Sequence, residues 1–137
     1  MVKYLMVSLG GVLGANARFL LGSWVLTKTA GKTVFPWGTF WINVSGSFLL
    51  GLFMTLAILF RWHDNWKLFC AVGFLGAYTT FSTFEYESIK LLLDGHTGQA
   101  FRNIIGSVVV GLVAVWLGIL LARQIGNFRP ISGKPSF

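Results

Sequence analysis

The feature that most constrains this chain is a series of four long apolar runs separated by short polar links. A helix needs roughly 20 consecutive apolar residues to cross the hydrocarbon core of a bilayer. The four runs have about this length and cover approximately residues 4–26, 37–60, 68–93 and 103–122. The pattern predicts an all-α membrane protein with four transmembrane helices in a single domain over residues 1–127. Residues 128–137 are expected to form a flexible C-terminal tail.

The composition excludes an ordinary soluble domain. Charged residues make up 11% of the chain and hydrophobic residues 55%, whereas a soluble domain is about 25% charged. A soluble fold of 137 residues exposes too large a fraction of its surface to hide so many apolar side chains. The net charge of +7 does not indicate nucleic-acid binding, because the basic residues stand singly between the apolar runs.

The distribution of positive charge gives only a weak orientation signal. Four spans place both chain termini on one side of the membrane. That side collects six basic residues, which are Lys3, Arg61, Lys67, Arg123, Arg129 and Lys134, against Lys28, Lys32, Lys90 and Arg102 on the other. Since basic residues prefer the cytoplasmic side, so small a difference permits insertion in both orientations. An antiparallel homodimer would follow from such dual insertion.

The third apolar run differs from the others in its middle, where residues 73–84 are GFLGAYTTFSTF. Glycine beside β-branched threonine disfavours a helix, and backbone groups freed inside a membrane must find partners in protein, water or a cation. Broken membrane helices present such carbonyls to Na⁺. The residues alone leave two interpretations open. The helix is either broken or merely kinked, with hydroxyls bonded back to the preceding turn.

Several polar side chains lie at membrane depth and each allows two interpretations. Arg18 either snorkels or pairs with an acid, or it places a fixed positive charge in an aqueous vestibule. Asn43 either joins two helices or donates hydrogen bonds to an anion. Phe81 and Phe84 are either core residues or rings whose positive edges stabilise a small anion. Hydroxyl donors along the same route are available from Ser82, Thr83 and Ser107.

The sequence contains no arrangement typical of an enzyme. His63 and His96 fall in links on opposite sides of the membrane, so they cannot share a metal ion. No Ser–His–Asp or Cys–His set is evident, and no glycine-rich loop carries a P-loop lysine. We therefore do not expect catalysis.

The run from Gly73 to Phe84 resembles the signature of the Fluc (CrcB) family of fluoride channels. Residues 14–18 (GANAR) are similar to the family's first-span motif, and Gly38–Thr39 with residues 42–46 (INVSG) are similar to its second-span motif. The resemblance covers the whole chain except the tail. It implies a fluoride-selective channel that exports F⁻ passively across the bacterial inner membrane and so relieves fluoride toxicity. It also implies an antiparallel dual-topology homodimer with two pores, each lined by both subunits.

The resemblance further implies roles for individual residues. Carbonyl groups of Gly76 and Thr79 from both subunits would hold one structural Na⁺ per dimer on the two-fold axis. Arg18 would be a vestibule charge and Glu87 a pore-end residue. The fluoride path would contain Asn43, Phe81, Ser82, Thr83, Phe84 and Ser107. This sequence departs from the family pattern at Ala77, Tyr78, Glu85, Asn103 and Gly111.

Two other hypotheses come from different classes of protein. One is a small dual-topology, proton-coupled exporter of cationic compounds, which needs a membrane-embedded carboxylate, typically on the first span. The first span of this chain has Arg18 instead, and its membrane acids Glu85 and Glu87 come late in the third run. The other is a structural subunit without transport, which would not need polar groups aligned through the bilayer.

Overall fold

A computed structural model describes residues 1–128 of the chain, and every regular element in this part is helical. The predicted tail therefore lies outside the described residues, except for the backbone of Phe128. The elements are α1 (Val2–Thr29), α2 (Trp37–Leu59), α3 (Asp64–Lys67), a π-helix (Leu68–Leu75), α4 (Gly76–Tyr78), α5 (Phe81–Leu93) and α6 (Thr97–Phe128). The prediction of an all-α protein is confirmed.

Three of these helices, α1, α2 and α6, are long and apolar enough to cross a membrane. They correspond to the first, second and fourth apolar runs. Large apolar side chains cover their outer surfaces, among them Phe19, Leu112 and Trp116, each more than half exposed. Such a surface is stable in lipid and not in water. The chain is thus a multi-pass membrane protein.

The third apolar run is made of several short helical pieces. The segments α3, the π-helix and α4 follow one another without interruption as far as Tyr78. Thr79 (φ −79°, ψ 160°) and Thr80 (φ −150°, ψ 112°) are extended. Helical geometry resumes at Phe81, where the Thr80 hydroxyl caps α5 by accepting a hydrogen bond from the backbone N–H of Thr83. The described backbone therefore has two non-helical residues between α4 and α5.

Glycines set the close packing between helices. α1 packs against the π-helix, and a Cβ atom on Gly14 would overlap the carbonyl group of Phe74. α2 packs along α6, where a Cβ on Gly51 would overlap the backbone of Val115 and one on Gly118 that of Phe48. Because helices in lipid associate through close packing and not through exclusion of water, these contacts hold the fold together.

One cluster of buried core residues lies beside the extended residues. It consists of Ile42 from α2, Leu75 from the π-helix and Tyr78 from α4. The Tyr78 hydroxyl shares a hydrogen bond of 2.8 Å with Ser45 Oγ of α2. This core fixes the end of α4 against α2 and so determines where the following two residues are placed.

Candidate functional site

Asn43 of α2 bonds both backbone groups of Thr80. Its Nδ2 donates to the Thr80 carbonyl at 3.0 Å, and its Oδ1 accepts from the Thr80 backbone N–H at 2.9 Å. Arg18 of α1 contacts the other extended residue, with Nη1 donating to the Thr79 carbonyl at 3.5 Å. Side chains from two other helices therefore bond backbone groups of both extended residues, with Asn43 engaging both groups of Thr80 and Arg18 making a long contact to the Thr79 carbonyl. Asn43 thus joins α2 to the extended residues, and its place on the fluoride path stays a prediction.

The interruption also frees carbonyl groups at the end of α4. The last helical bond joins the Thr79 N–H to the Leu75 carbonyl at 3.0 Å, and the Thr79 hydroxyl donates to the same oxygen at 2.9 Å. Since the Thr80 N–H is engaged by Asn43, it does not reach the Gly76 carbonyl four residues earlier. The carbonyl end of a helix carries partial negative charge. The two residues predicted to hold Na⁺, Gly76 and Thr79, thus stand where an oxygen ligand is available.

An open cavity of about 340 Å³ lies along the interruption. It is lined by four of the six residues predicted for the fluoride path, Asn43, Phe81, Phe84 and Ser107, and by the two residues predicted to hold Na⁺, Gly76 and Thr79. The ring centroids of Phe81 and Phe84 are 5.8 Å apart and the rings are tilted by 38°. Phe84 is 8% exposed and Phe81 70%, so one ring is buried while the other faces outward from this chain.

A second cavity, of about 820 Å³, contains both predicted charged residues. Arg18 and Glu87 line it together with Thr39, Thr80 and Thr83. Glu87 Oε1 accepts a hydrogen bond of 2.9 Å from the Thr39 hydroxyl, and within residues 1–128 its buried Oε2 has no hydrogen-bond partner. Thr80 lines both cavities, so this extended residue borders each of them.

Two predicted residues differ in how they relate to these cavities. Thr83 lies in the second cavity and is bonded by the Thr80 hydroxyl at 2.8 Å. Ser82 is exposed and lines neither cavity, so its place on an ion path stays a prediction. Thr39 was missed as a site residue, although its position four residues before Asn43 places both on one face of α2.

A hydrogen-bonded row connects the first cavity to the interface between α5 and α6. Ser107 Oγ donates to Asn103 Oδ1 at 3.3 Å, and Asn103 Nδ2 donates to Ser88 Oγ at 3.0 Å. Ser88 Oγ in turn donates to the Phe84 carbonyl at 2.7 Å. Asn103 is completely buried. Sequence reasoning noted Asn103 only as a departure from the family pattern and did not single out Ser88.

Together these features define a class of protein. The chain is a multi-pass helical membrane protein in which polar groups line apolar cavities beside two extended backbone residues, as in membrane channels and transporters.

Comparison with known proteins narrows this class to a family. The family described as "CrcB-like protein, Camphor Resistance (CrcB)" matches residues 5–119. The "Fluoride-specific ion channel FluC" of Acidobacterium capsulatum is 46% identical over 125 residues, covering 90% of this chain and 98% of that protein. The protein of the same name from Solibacter usitatus is 45% identical over 124 residues (90% and 100%), and that from Thermus thermophilus 42% over 123 residues (90% and 95%). The chain belongs to the CrcB family, which confirms the resemblance seen in the sequence.

Proposed function

We propose that this chain is a fluoride-selective ion channel that lets F⁻ leave the cell passively and so relieves fluoride toxicity. The observation that carries the proposal is its membership of a family in which relatives of 42–46% identity over nearly their whole length are named as fluoride-specific channels. A channel performs no covalent step, in agreement with the expectation that this chain is not an enzyme. The membrane is proposed to be the bacterial inner membrane.

The chemistry of the two cavities suits a small, strongly hydrated anion. The positive edges of the Phe81 and Phe84 rings offer weak electrostatic attraction, and Arg18 supplies fixed positive charge in the wider cavity. Conduction needs binding that favours entry but does not trap the ion. Ring edges and single hydroxyls meet this requirement better than a cluster of cations would.

We propose that the third apolar run is the fourth membrane crossing, interrupted at Thr79–Thr80. A second copy in the opposite orientation would complete the site, because Gly76 and Phe81 are exposed on this chain and the 340 Å³ cavity beside them is open. The resulting assembly is an antiparallel dual-topology homodimer with two pores.

We propose that one Na⁺ is held on the two-fold axis by the Gly76 and Thr79 carbonyls of both copies. The residues fit this role, since the Gly76 carbonyl has lost its helical donor and the Thr79 carbonyl has only the long contact of 3.5 Å from Arg18. A carbonyl oxygen has two lone pairs, so that contact leaves Thr79 able to accept a cation. Na⁺ would neutralise the partial negative charge of two facing helix ends.

The alternative, a proton-coupled exporter of cationic compounds, finds less support in the same cavities. The acid that lines the wider of these two cavities is Glu87, and one of its oxygens already accepts from Thr39. Arg18 lines the same cavity, and its positive charge opposes the binding of an organic cation there.

The test is fluoride efflux from liposomes that contain the purified protein. Rapid F⁻ release without chloride release, unaffected by a proton gradient, is the expected result, with protein-free liposomes as the control. Proton-driven uptake of an organic cation would favour the alternative. Absence of F⁻ flux from correctly folded protein would refute the channel.

A further inference from the structure

The hydrogen-bonded row between α5 and α6 has a fixed direction. It begins at the carbonyl of Phe84, which can only accept, so the 2.7 Å contact must be donated by the Ser88 hydroxyl. That donation uses the one proton of Ser88. The 3.0 Å contact between Ser88 and Asn103 must then be donated by the Asn103 amide nitrogen.

The same logic fixes the orientation of the Asn103 amide and of the last hydroxyl. With Nδ2 directed at Ser88, the atom of Asn103 that faces Ser107 is the carbonyl oxygen Oδ1, which cannot donate. Ser107 must therefore donate its proton to Asn103, at 3.3 Å. Since Ser107 lines the 340 Å³ cavity with Phe81 and Phe84, the proton of this hydroxyl is engaged by Asn103 at the edge of the cavity.

We propose that Asn103 is a positioning residue for the ion path, which holds the Ser107 proton away from a passing anion until the hydroxyl rotates. This inference rests on the proposed fluoride conduction. The Ser107–Asn103 distance of 3.3 Å is long for a hydroxyl donor, whose usual distance is about 2.7–2.8 Å. The bond is weak enough for F⁻ to compete for the proton.

The arrangement limits how tightly the site binds its ion. A hydroxyl with a free proton would bind F⁻ more tightly than one whose proton is shared, whereas conduction requires binding that does not trap the ion. A proton shared with Asn103 must be given up before it can serve the anion, and it returns when the anion leaves. Asn103 thus converts Ser107 from a fixed donor into one that exchanges between two acceptors.

The substitution that tests this most cleanly is Ser88→Ala. Ser88 does not line the cavity, and the change removes the acceptor that fixes the Asn103 amide, so Oδ1 is no longer held toward Ser107. F⁻ efflux is measured from liposomes over a range of F⁻ concentrations. We expect a half-saturating concentration about fivefold lower, the change that corresponds to one net hydrogen bond, together with a lower maximal flux. Asn103→Ala is expected to act in the same direction.

The decisive comparison is to make Ser88→Ala in a protein that already carries Ser107→Ala. In that variant Ser88→Ala is expected to leave the half-saturating concentration unchanged, since no hydroxyl remains to be released. The matched control is Thr55→Val on α2, which removes a hydroxyl bonded to the carbonyl four residues earlier, as in Ser88, but away from both cavities. It is expected to change neither quantity.

The outcomes separate this inference from the proposed function. If the unmodified protein conducts no F⁻, the proposed function fails. If it conducts and Ser88→Ala lowers only the maximal flux, Asn103 has a purely structural role and the inference is overturned. The same shift in the presence and absence of the Ser107 hydroxyl would overturn it as well. Should Asn103→Ala not fold, Ser88→Ala alone decides.

Discussion

Replacing Asn43 by leucine removes both hydrogen bonds that hold Thr80 in its extended conformation. The amide of Asn43 donates to the Thr80 carbonyl and accepts from its N–H, at 3.0 and 2.9 Å. Leucine has a similar length and no polar atom. Both backbone groups of Thr80 would therefore lose their partners at the point where neither α4 nor α5 can supply one.

The size of the effect follows from the cost of unpaired polar groups. Leaving one buried donor or acceptor without a partner costs about 1–3 kcal/mol, and the substitution leaves two. Asn43 and Thr80 are half-buried beside cavities, so water can reach part of the freed groups. We expect Asn43→Leu to lower the free energy of unfolding by about 2–4 kcal/mol, toward the lower part of the summed range.

The assay is equilibrium unfolding of the purified protein in detergent, followed by the fluorescence of its six tryptophans. Asn16→Leu is the matched control, because the Asn16 amide is exposed and donates to the Val12 carbonyl of its own helix at 2.7 Å. Its loss is expected to cost less than about 0.5 kcal/mol. Fluoride efflux from liposomes is expected to fall with Asn43→Leu and to be retained with Asn16→Leu.

Two results would refute this reasoning. Equal unfolding free energies for the two variants would mean that the Asn43–Thr80 bonds contribute nothing to the fold. Full fluoride flux in a destabilised Asn43→Leu protein would mean that the extended conformation of Thr80 is not needed for conduction.

Three further substitutions test other parts of the structure. Gly14→Ala is expected to destabilise the protein by several kcal/mol, since its Cβ would overlap the π-helix backbone, while Gly11→Ala, which meets open space, is expected to be neutral. Similar unfolding of the two would contradict this packing. Phe84→Ile keeps most of the bulk but removes the ring edge, so fluoride efflux is expected to fall about tenfold or more, and unchanged efflux would exclude that ring from the path. Thr39→Val removes the donor to Glu87 and is expected to lower the unfolding free energy by about 1–3 kcal/mol, so equal stability would show that this bond is not needed.

The long helices could be predicted from sequence because a single physical requirement produces them. A lipid-facing span must be apolar over about 20 residues, and α1, α2 and α6 satisfy this without further information. The ends of the helices were harder to predict from sequence, since polar residues outside the apolar run can continue the helix. α6, for example, begins at Thr97, before the fourth apolar run.

The π-helix from Leu68 to Leu75 had no sequence signal. Its residues are apolar and suit an α-helix as well, so the sequence does not distinguish the two hydrogen-bond patterns. Gly10 and Gly73 bring the two backbones so close that a Cβ atom on either glycine would meet the other segment at about 3 Å or less. Only knowledge of which helices pack together would reveal such a constraint.

Site residues could be predicted where a single polar residue stands inside an apolar run. They could not be predicted where the feature is a hydrogen bond between residues of two different helices. Asn43 and Arg18 were conspicuous as polar groups in apolar runs. The bond between Asn103 and Ser88 joins residues fifteen positions apart, and neither residue is unusual until α5 and α6 are placed side by side. The i, i+4 spacing of Phe84 with Ser88 and of Asn103 with Ser107 was the available hint.

The interruption at Thr79–Thr80 is held by two different helix pairs, which explains why its local sequence alone does not determine it. α2 is packed onto α6 through glycine contacts and supplies Asn43, whereas α1 is packed onto the π-helix and supplies Arg18. The backbones of each pair touch directly, so the conformation of Thr79 and Thr80 depends on how the two pairs are placed relative to each other. A glycine substitution far from the cavities, such as one at Gly118 between α6 and α2, would therefore disturb the site by moving one of these pairs, without touching any residue that lines it.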